Sequence, residues 1–426
     1  MTTLSNIFSP WWFWPKPWIE RVFLALTALI PATMIIGQGL ADVMLITIAL
    51  AFLLRSGLTG NWRWTREKWF LLALVLWFWM IFISFFALAD FTDSIKRALL
   101  WLRFIIFTAA LKEWVLDKAS ARRTTVLFIS ATVAFTLIYV GLQFFLGDSL
   151  YGFDNTQSGR LTGPFDKWVA GTYLAKTAMP VLGMAATLSM ALTGKASRQV
   201  CTVCLASLIL LVGIMITGER SAFFSFALAV AVFFIAINRL RRWLFVPVLF
   251  GIVLLGLVFV TSPAVKTRML DTTISQVKNF SQSHYGMIFS NAALMIKTYP
   301  LTGVGLKNYR RVCQQAPYHK FVADDPSSCG LHPHNPYLEW AVETGLPGVC
   351  LFIGLMALML FQIIRTLRHA KTEDYPLGLG ALLSLVIFLW PAMSTMSLFT
   401  NWNAILFWYA LALAFSFTQS NPTTVV

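Results

Sequence analysis

The residues best suited to chemistry run from His334 to Gly348, in the order His-Asn-Pro-Tyr-Leu-Glu-Trp-Ala-Val-Glu-Thr-Gly-Leu-Pro-Gly. Asn335 is a good helix cap, and Pro336 suits a first helical position, where its missing N–H goes unneeded. Leu338, Trp340, Ala341 and Val342 continue a short helix. Gly345 stands where a left-handed residue ends it, and Pro347 with Gly348 redirects the chain. His334 is thereby fixed just ahead of a helix N-terminus. The positive potential there disfavours imidazolium and keeps the ring neutral. A neutral imidazole can take a proton as a general base, and the same helix end attracts phosphate oxygens. A histidine that merely caps the helix would leave the same pattern.

Cations gather in three further stretches. Thr217-Gly218-Glu219-Arg220-Ser221 joins two long apolar runs. An arginine at such an edge needs a partner or a wet cavity, and its planar fork suits bidentate phosphate binding. Pairing of Arg220 with Glu219 is the plainer alternative. Gly159-Arg160-Leu161-Thr162-Gly163-Pro164-Phe165 contains a turn signal, with Arg160 and Lys167 able to reach an anion or simply solvated. Pro300-Leu301-Thr302-Gly303-Val304-Gly305 is followed by Lys307, Arg310 and Arg311. A lone G-x-G without a P-loop or Rossmann context reads first as a tight turn, and second as an anion or sugar contact.

His332 forms a His-x-His with His334, and Asp324, Asp325 and Cys329 are near in sequence. Two histidines flanking a proline are a weak zinc signal without a convergent third ligand, and we expect no metal and no cofactor. Cys313 and Cys329 share one long loop, where they are either a disulfide or two free thiols. Cys201, Cys204 and Cys350 lie in apolar runs and read as packing residues.

The elements that must position these groups follow from composition. Of 426 residues, 58% are hydrophobic and 12% charged, where soluble domains carry about 25% charged. That excludes a soluble enzyme, a disordered chain and a nucleic-acid module, despite the net charge of +15. Twelve apolar segments approach the roughly 20 residues of a span: 19–37, 38–54, 69–88, 97–115, 124–146, 168–193, 199–217, 221–238, 243–261, 348–366, 376–396 and 402–419. The aromatic start (Trp11, Trp12, Trp14, Trp18) reads as an interfacial anchor, and no cleavable signal peptide is evident. With a cytoplasmic N-terminus, every inside loop is basic, as Arg55, Arg63, Arg66 and Lys68 illustrate. Both termini then fall inside. The expected fold is an all-α polytopic membrane protein of about twelve helices. Its expected parts are 1–261 (spans one to nine), 262–347 (a periplasmic loop domain) and 348–426 (spans ten to twelve). The loop holds His284, His319, His332 and His334, four of the five histidines.

These residues resemble the O-antigen ligases, within the wider group of O-antigen polymerases and protein O-oligosaccharyltransferases. The ligase pattern is His, then Asn, Ser or Gln, nine residues, then Gly-x-x-Gly. Here it is met by His334, Asn335, Gly345 and Gly348. The R-L-T-G-P-F and P-L-T-G-V-G turns and the arginine after span seven are also similar. The resemblance implies a GT-C-like fold and a metal-independent, inverting glycosyltransfer at the periplasmic face of the inner membrane. The implied donor is an undecaprenyl-diphosphate-linked glycan, and the implied acceptor is lipid A–core. It implies His334 as base and Arg220 as a diphosphate contact. Relatives carry an arginine in the helix before the P-L-x-G-x-G turn, where this chain reads Ser283-His284-Tyr285-Gly286-Met287-Ile288-Phe289. His284, Arg310 or Arg311 are left as substitutes, with Arg160 and Lys307 as further contacts. A polymerase or a protein-glycosylating enzyme would share the donor. A flippase would instead place ionisable residues deep within spans.

Overall fold

Apolar runs with no water to satisfy their backbone must bond internally, so they fold as helices. The computed structural model describes residues 17–147, 159–315, 317–318, 329–392 and 394–419. Among the described residues there is no strand. The long helices are α1 (Pro17–Ile36), α2 (Gln38–Thr59), α3 (Lys68–Ser84), α4 (Phe91–Ala110), α5 (Ala119–Leu146), α6 (Ala170–Thr193) and α7 (Ala196–Ile216). They continue as α8 (Arg220–Ala236), α9 (Phe245–Thr261), α10 (His284–Thr298), α11 (Pro336–Leu367), α12 (Tyr375–Leu389) and α13 (Asn401–Ser416).

A helix lies at each of the twelve apolar segments. By length and composition, however, six described helices can cross a membrane: α1, α2, α5, α6, α7 and α11. A seventh is α9 taken together with Pro263–Lys278, a pair bent by 119°. Helices α3, α8 and α12 are apolar but shorter. Several boundaries differ from the sequence reading, those of α2 and α12 with a visible cause. Helix α2 runs on to Thr59, because Arg55 stays helical with its guanidinium 5.7 Å from the Trp114 ring. Helix α12 stops at Leu389 rather than 396. Pro391 lacks an N–H and pushes Trp390 into an extended conformation, φ −68° and ψ 116°. Residues 390–392 and 394–400 are therefore mostly irregular chain, not span.

Helix α6 is the hub, packed against α5, α7, α8 and α12. Its backbone comes close to that of α12, since a Cβ on Gly183 would meet the Pro376 carbonyl oxygen at 2.4 Å. Small residues at such crossings let membrane helices pack by contact rather than by water exclusion. One of the buried charges lies within α6 itself. Lys176, in the second turn of α6, is 5% exposed and donates to Asn403 Oδ1 at 2.5 Å. Asn403 in turn donates to the Met396 carbonyl, so this lysine braces the loop before α13.

The segment before α11 has a small core of its own. Ile288, Ala292 and Met295 of α10 pack with Val304, Tyr309, Val312 and Val342. Cys313 and Cys329 are joined by a disulfide within it, Cα atoms 5.7 Å apart. His319, Asp324 and Asp325, and Trp11, Trp12 and Trp14, lie outside the described residues.

Candidate active site

The His334 loop is held by its own sequence. Asn335 caps α11, its Oδ1 accepting from the N–H groups of Tyr337 (3.0 Å) and Leu338 (3.1 Å). Its Nδ2 donates to the Pro391 carbonyl at 2.7 Å. Tyr337 Oη donates to the Leu389 carbonyl at 2.6 Å, and the Thr395 N–H to the His334 carbonyl at 2.9 Å. The irregular chain after α12 thus clasps the motif. His334 itself has φ 55°, a left-handed backbone that costs a side-chain-bearing residue about 1–2 kcal/mol. Strain of this kind persists where surrounding contacts over-determine a functional residue.

The lower end of the motif helix is set by Gly345, with φ 74° and ψ 174°. A Cβ there would meet the Leu301 carbonyl oxygen at 2.0 Å. The break frees carbonyls that the Gly303-Val304-Gly305 turn takes up. Val304 N–H donates to the Val342 carbonyl (2.8 Å) and Gly305 N–H to that of Glu343 (3.1 Å). The turn's amides are therefore spent on the helix end and do not cradle an anion.

Four aromatic rings meet at His334. Its ring centroid lies 4.2 Å from His332, 5.6 Å from Tyr285 and 6.3 Å from His284. His332 Nε2 lies 3.0 Å from the Thr395 carbonyl. A carbonyl only accepts, so that nitrogen carries the proton and His332 acts as a brace. Burial pushes His334 down to about 4, helped by the charges of His284 and Arg160. Burial drives His332 lower than usual as well. The neutral ring expected from the helix end is thus obtained chiefly by desolvation.

Three arginines stand beside this cluster. The Arg160 and Thr217 turns are laced together, the Leu161 N–H donating to the Thr217 carbonyl at 3.1 Å. Glu219 does not pair with Arg220. Its carboxylate accepts from the Gly171 and Thr172 N–H groups at 2.8 and 3.1 Å, capping the start of α6. Arg220 Nη1 donates to Thr273 Oγ1 at 3.2 Å and has no ion pair among the described residues. Arg268, beyond the bend after α9, donates from Nε to the Gly218 carbonyl at 3.0 Å. Burial, with Arg160 and Arg220 close by, pulls Arg268 down to about 10. Tyr285 is within electrostatic reach of both Arg220 and Arg268, so the cations and the histidines form one site.

Arg268 carried no signal in the sequence. It is one cation in a long polar stretch, brought to the site by the 119° bend. Other candidates lie elsewhere. Arg311 is paired with Asp90 at 2.7 Å, Arg310 is exposed on a five-residue helix, and Lys307 lines a different cavity. Lys167 is exposed beside Asp166. Among the described residues no three His, Cys, Asp or Glu side chains converge as a metal site, and Cys329 is held in its disulfide.

Below the arginines, α5, α7 and α9 line an apolar cavity of about 910 Å³. Leu137, Phe145, Ile209 and Leu257 form its walls, and Gly159, Leu161 and Ala264 its upper rim beside Arg160. The arrangement offers a channel for a hydrocarbon chain, cations for an anionic head and a base next to both.

Residues 205–353 match the family model described as O-Antigen ligase. No curated protein matches the chain significantly. The matched stretch takes in Arg220, the bend with Arg268, the glycine turn and the complete His334 motif. Over that stretch the chain is similar to the O-antigen ligase family.

Proposed function

We propose that this chain is a membrane glycosyltransferase that moves a glycan from undecaprenyl diphosphate to a hydroxyl of lipid A–core. Its outer face is the periplasmic side of the inner membrane, and about twelve helices cross that membrane. The observation that carries the reading is His334, neutral and backbone-strained, beside three arginines at the mouth of an apolar groove. The polyprenyl chain occupies the α5/α7/α9 cavity, and Arg160, Arg220 and Arg268 hold the diphosphate. The acceptor hydroxyl gives its proton to His334 as its oxygen attacks the anomeric carbon. The bond from that carbon to the diphosphate breaks on the opposite face, so configuration inverts. The leaving diphosphate takes the electron pair, and the arginines share its charge. Three cations do the work a divalent metal does elsewhere.

Purified protein supplied with lipid-linked donor and lipid A–core should form product at the same rate with and without EDTA. Turnover only with a lipid-linked repeat unit as acceptor would make it a polymerase, and loss with EDTA restored by one divalent ion would restore a metal reading. Orientation is tested at Ser281, an exposed residue ahead of α10. In a background without reactive native thiols, a Ser281→Cys variant should label fully with an impermeant reagent in intact spheroplasts. Labelling only after lysis would reverse the topology.

A further inference from the structure

A second cavity, polar and of about 400 Å³, lies between α2, α4 and the start of α13. Lys96, Arg97, Arg103 and Lys307 line it, with Asp93 and Asn401. Two of the cations are anchored. Arg97 Nε pairs with Asp93 at 3.0 Å while its Nη1 donates to the Phe399 carbonyl at 3.1 Å. Arg103 Nε pairs with Asp42 at 2.9 Å while its Nη2 donates to Asn401 Oδ1 at 2.9 Å. Lys96 and Lys307 have no ion pair among the described residues.

Lys307 is built for its place. Its φ is 60°, which with His334 makes the two non-glycine residues of left-handed backbone among those described. Its N–H donates to Glu343 Oε2 at 2.6 Å, so a buried carboxylate on α11 holds the strained backbone. A second, Glu339, lies behind it and accepts from the Leu398 N–H at 2.9 Å. One strip of chain separates this cavity from His334. Thr395 bonds the His334 carbonyl, Ser397 Oγ lies 3.5 Å from Lys307 Nζ, and Leu398, Phe399 and Thr400 line the cavity wall. The tail groove is formed by α5, α7 and α9, none of which lines this second cavity.

We propose that this cavity seats a phosphate group of the acceptor glycolipid. The inference rests on the ligase reading for the word acceptor, and on the cavity itself for the phosphate. Arg103 is bonded at all three nitrogens, Nη1 donating to the Leu100 carbonyl at 2.5 Å, so the two guanidinium groups, each paired with a carboxylate, shape the wall while Lys96 and Lys307 supply its unpaired charge, at a volume within the range of small-ligand sites. A phosphate held there would fix the acceptor on one flank of the 395–400 strip while the donor diphosphate occupies the other. Both sugars then reach His334 from separate sides.

The test is equilibrium binding of lipid A–core glycolipid to the full chain in nanodiscs without donor, using native and enzymatically dephosphorylated glycolipid. Wild type should prefer the phosphorylated form. The Lys96→Gln/Lys307→Gln double variant should weaken that form tenfold or more and leave the dephosphorylated form and lipid-linked donor unchanged. Equal weakening of both glycolipids, or weakening of the donor instead, overturns the proposal. Competition by inorganic phosphate with no preference between the glycolipids assigns the cavity to free phosphate and also overturns it. Binding is read without turnover, so the two readings fail separately. Phosphate-dependent binding without transfer sinks the ligase reading and keeps the site, whereas transfer without phosphate preference does the reverse.

Discussion

His334→Ala should lower glycan transfer by about 10²–10⁴-fold, the usual contribution of a positioned proton acceptor, while donor affinity stays close to wild type. The alanine removes no cap, because Asn335 supplies it through Oδ1. It removes no packing anchor of the first rank either, since the motif is held through the His334 carbonyl, Asn335 and Tyr337. His332→Ala should cost less rate and more order, because that ring's Nε2 is committed to the Thr395 carbonyl. Donor binding lost in proportion to rate would instead make His334 a phosphate ligand.

The same residue sets a pH signature. In the free protein burial holds His334 down to about 4, so the base is in its working form across the neutral range. The acid limb of kcat/KM, which reports the free enzyme, should fall near that value rather than near the ordinary 6.5 or so. Bound donor brings a diphosphate beside the ring, and nearby negative charge raises the pKa of an imidazole. The acid limb of kcat, which reports the complex, should therefore lie at higher pH than that of kcat/KM. Stability runs the same way. Between about 4 and 6.5 the unfolded chain binds the proton that folded His334 refuses, so folding weakens as pH falls through that window. An acid limb of kcat/KM at 6 or above would point to an exposed histidine as the base.

What could be read from the sequence was local. The cap, the proline and the glycine of the motif act over a few residues, so their roles in α11 follow from type and spacing. Arg220 was legible because a cation at the end of an apolar run demands an explanation. The alternative partner, Glu219, was not legible, because nothing in Thr-Gly-Glu-Arg says that the carboxylate reaches back to the N-terminus of α6. Arg268 and the 394–400 chain were missed for a related reason. Their roles arise from a 119° bend and from a proline that ends α12 early, and both bring together residues distant in sequence. Lys176 was hidden inside an apolar window, where its partner Asn403 is 227 positions away. The two cysteines were readable as a pair but not as a bond until the core of α10 brought them together.

Arg220→Lys should be nearly as damaging as Arg220→Ala, each lowering transfer tenfold or more with the loss in donor binding. The guanidinium is a planar fork matched to two phosphate oxygens, whereas an ammonium offers a point charge on a flexible stem. Arg220 is free for that task because Glu219 is spent on α6 and its own described contact is one hydroxyl, Thr273 Oγ1. One charge-assisted contact is worth about 1.5–3 kcal/mol, which is roughly ten- to a hundredfold in binding. Arg160 and Arg268 lie in the same field, so the loss from one substitution is bounded by what the other two still supply. Removing Arg220 and Arg268 together should exceed the sum of the single losses, since the remaining arginine faces the diphosphate alone. The measurement is donor affinity in nanodiscs for the single and double variants, with their folding checked by thermal melts. A folded Arg220→Ala with wild-type donor affinity would leave Arg220 as an anchor at the membrane edge. In that case Arg160 and Arg268 alone would hold the diphosphate, and each should then show the larger single effect.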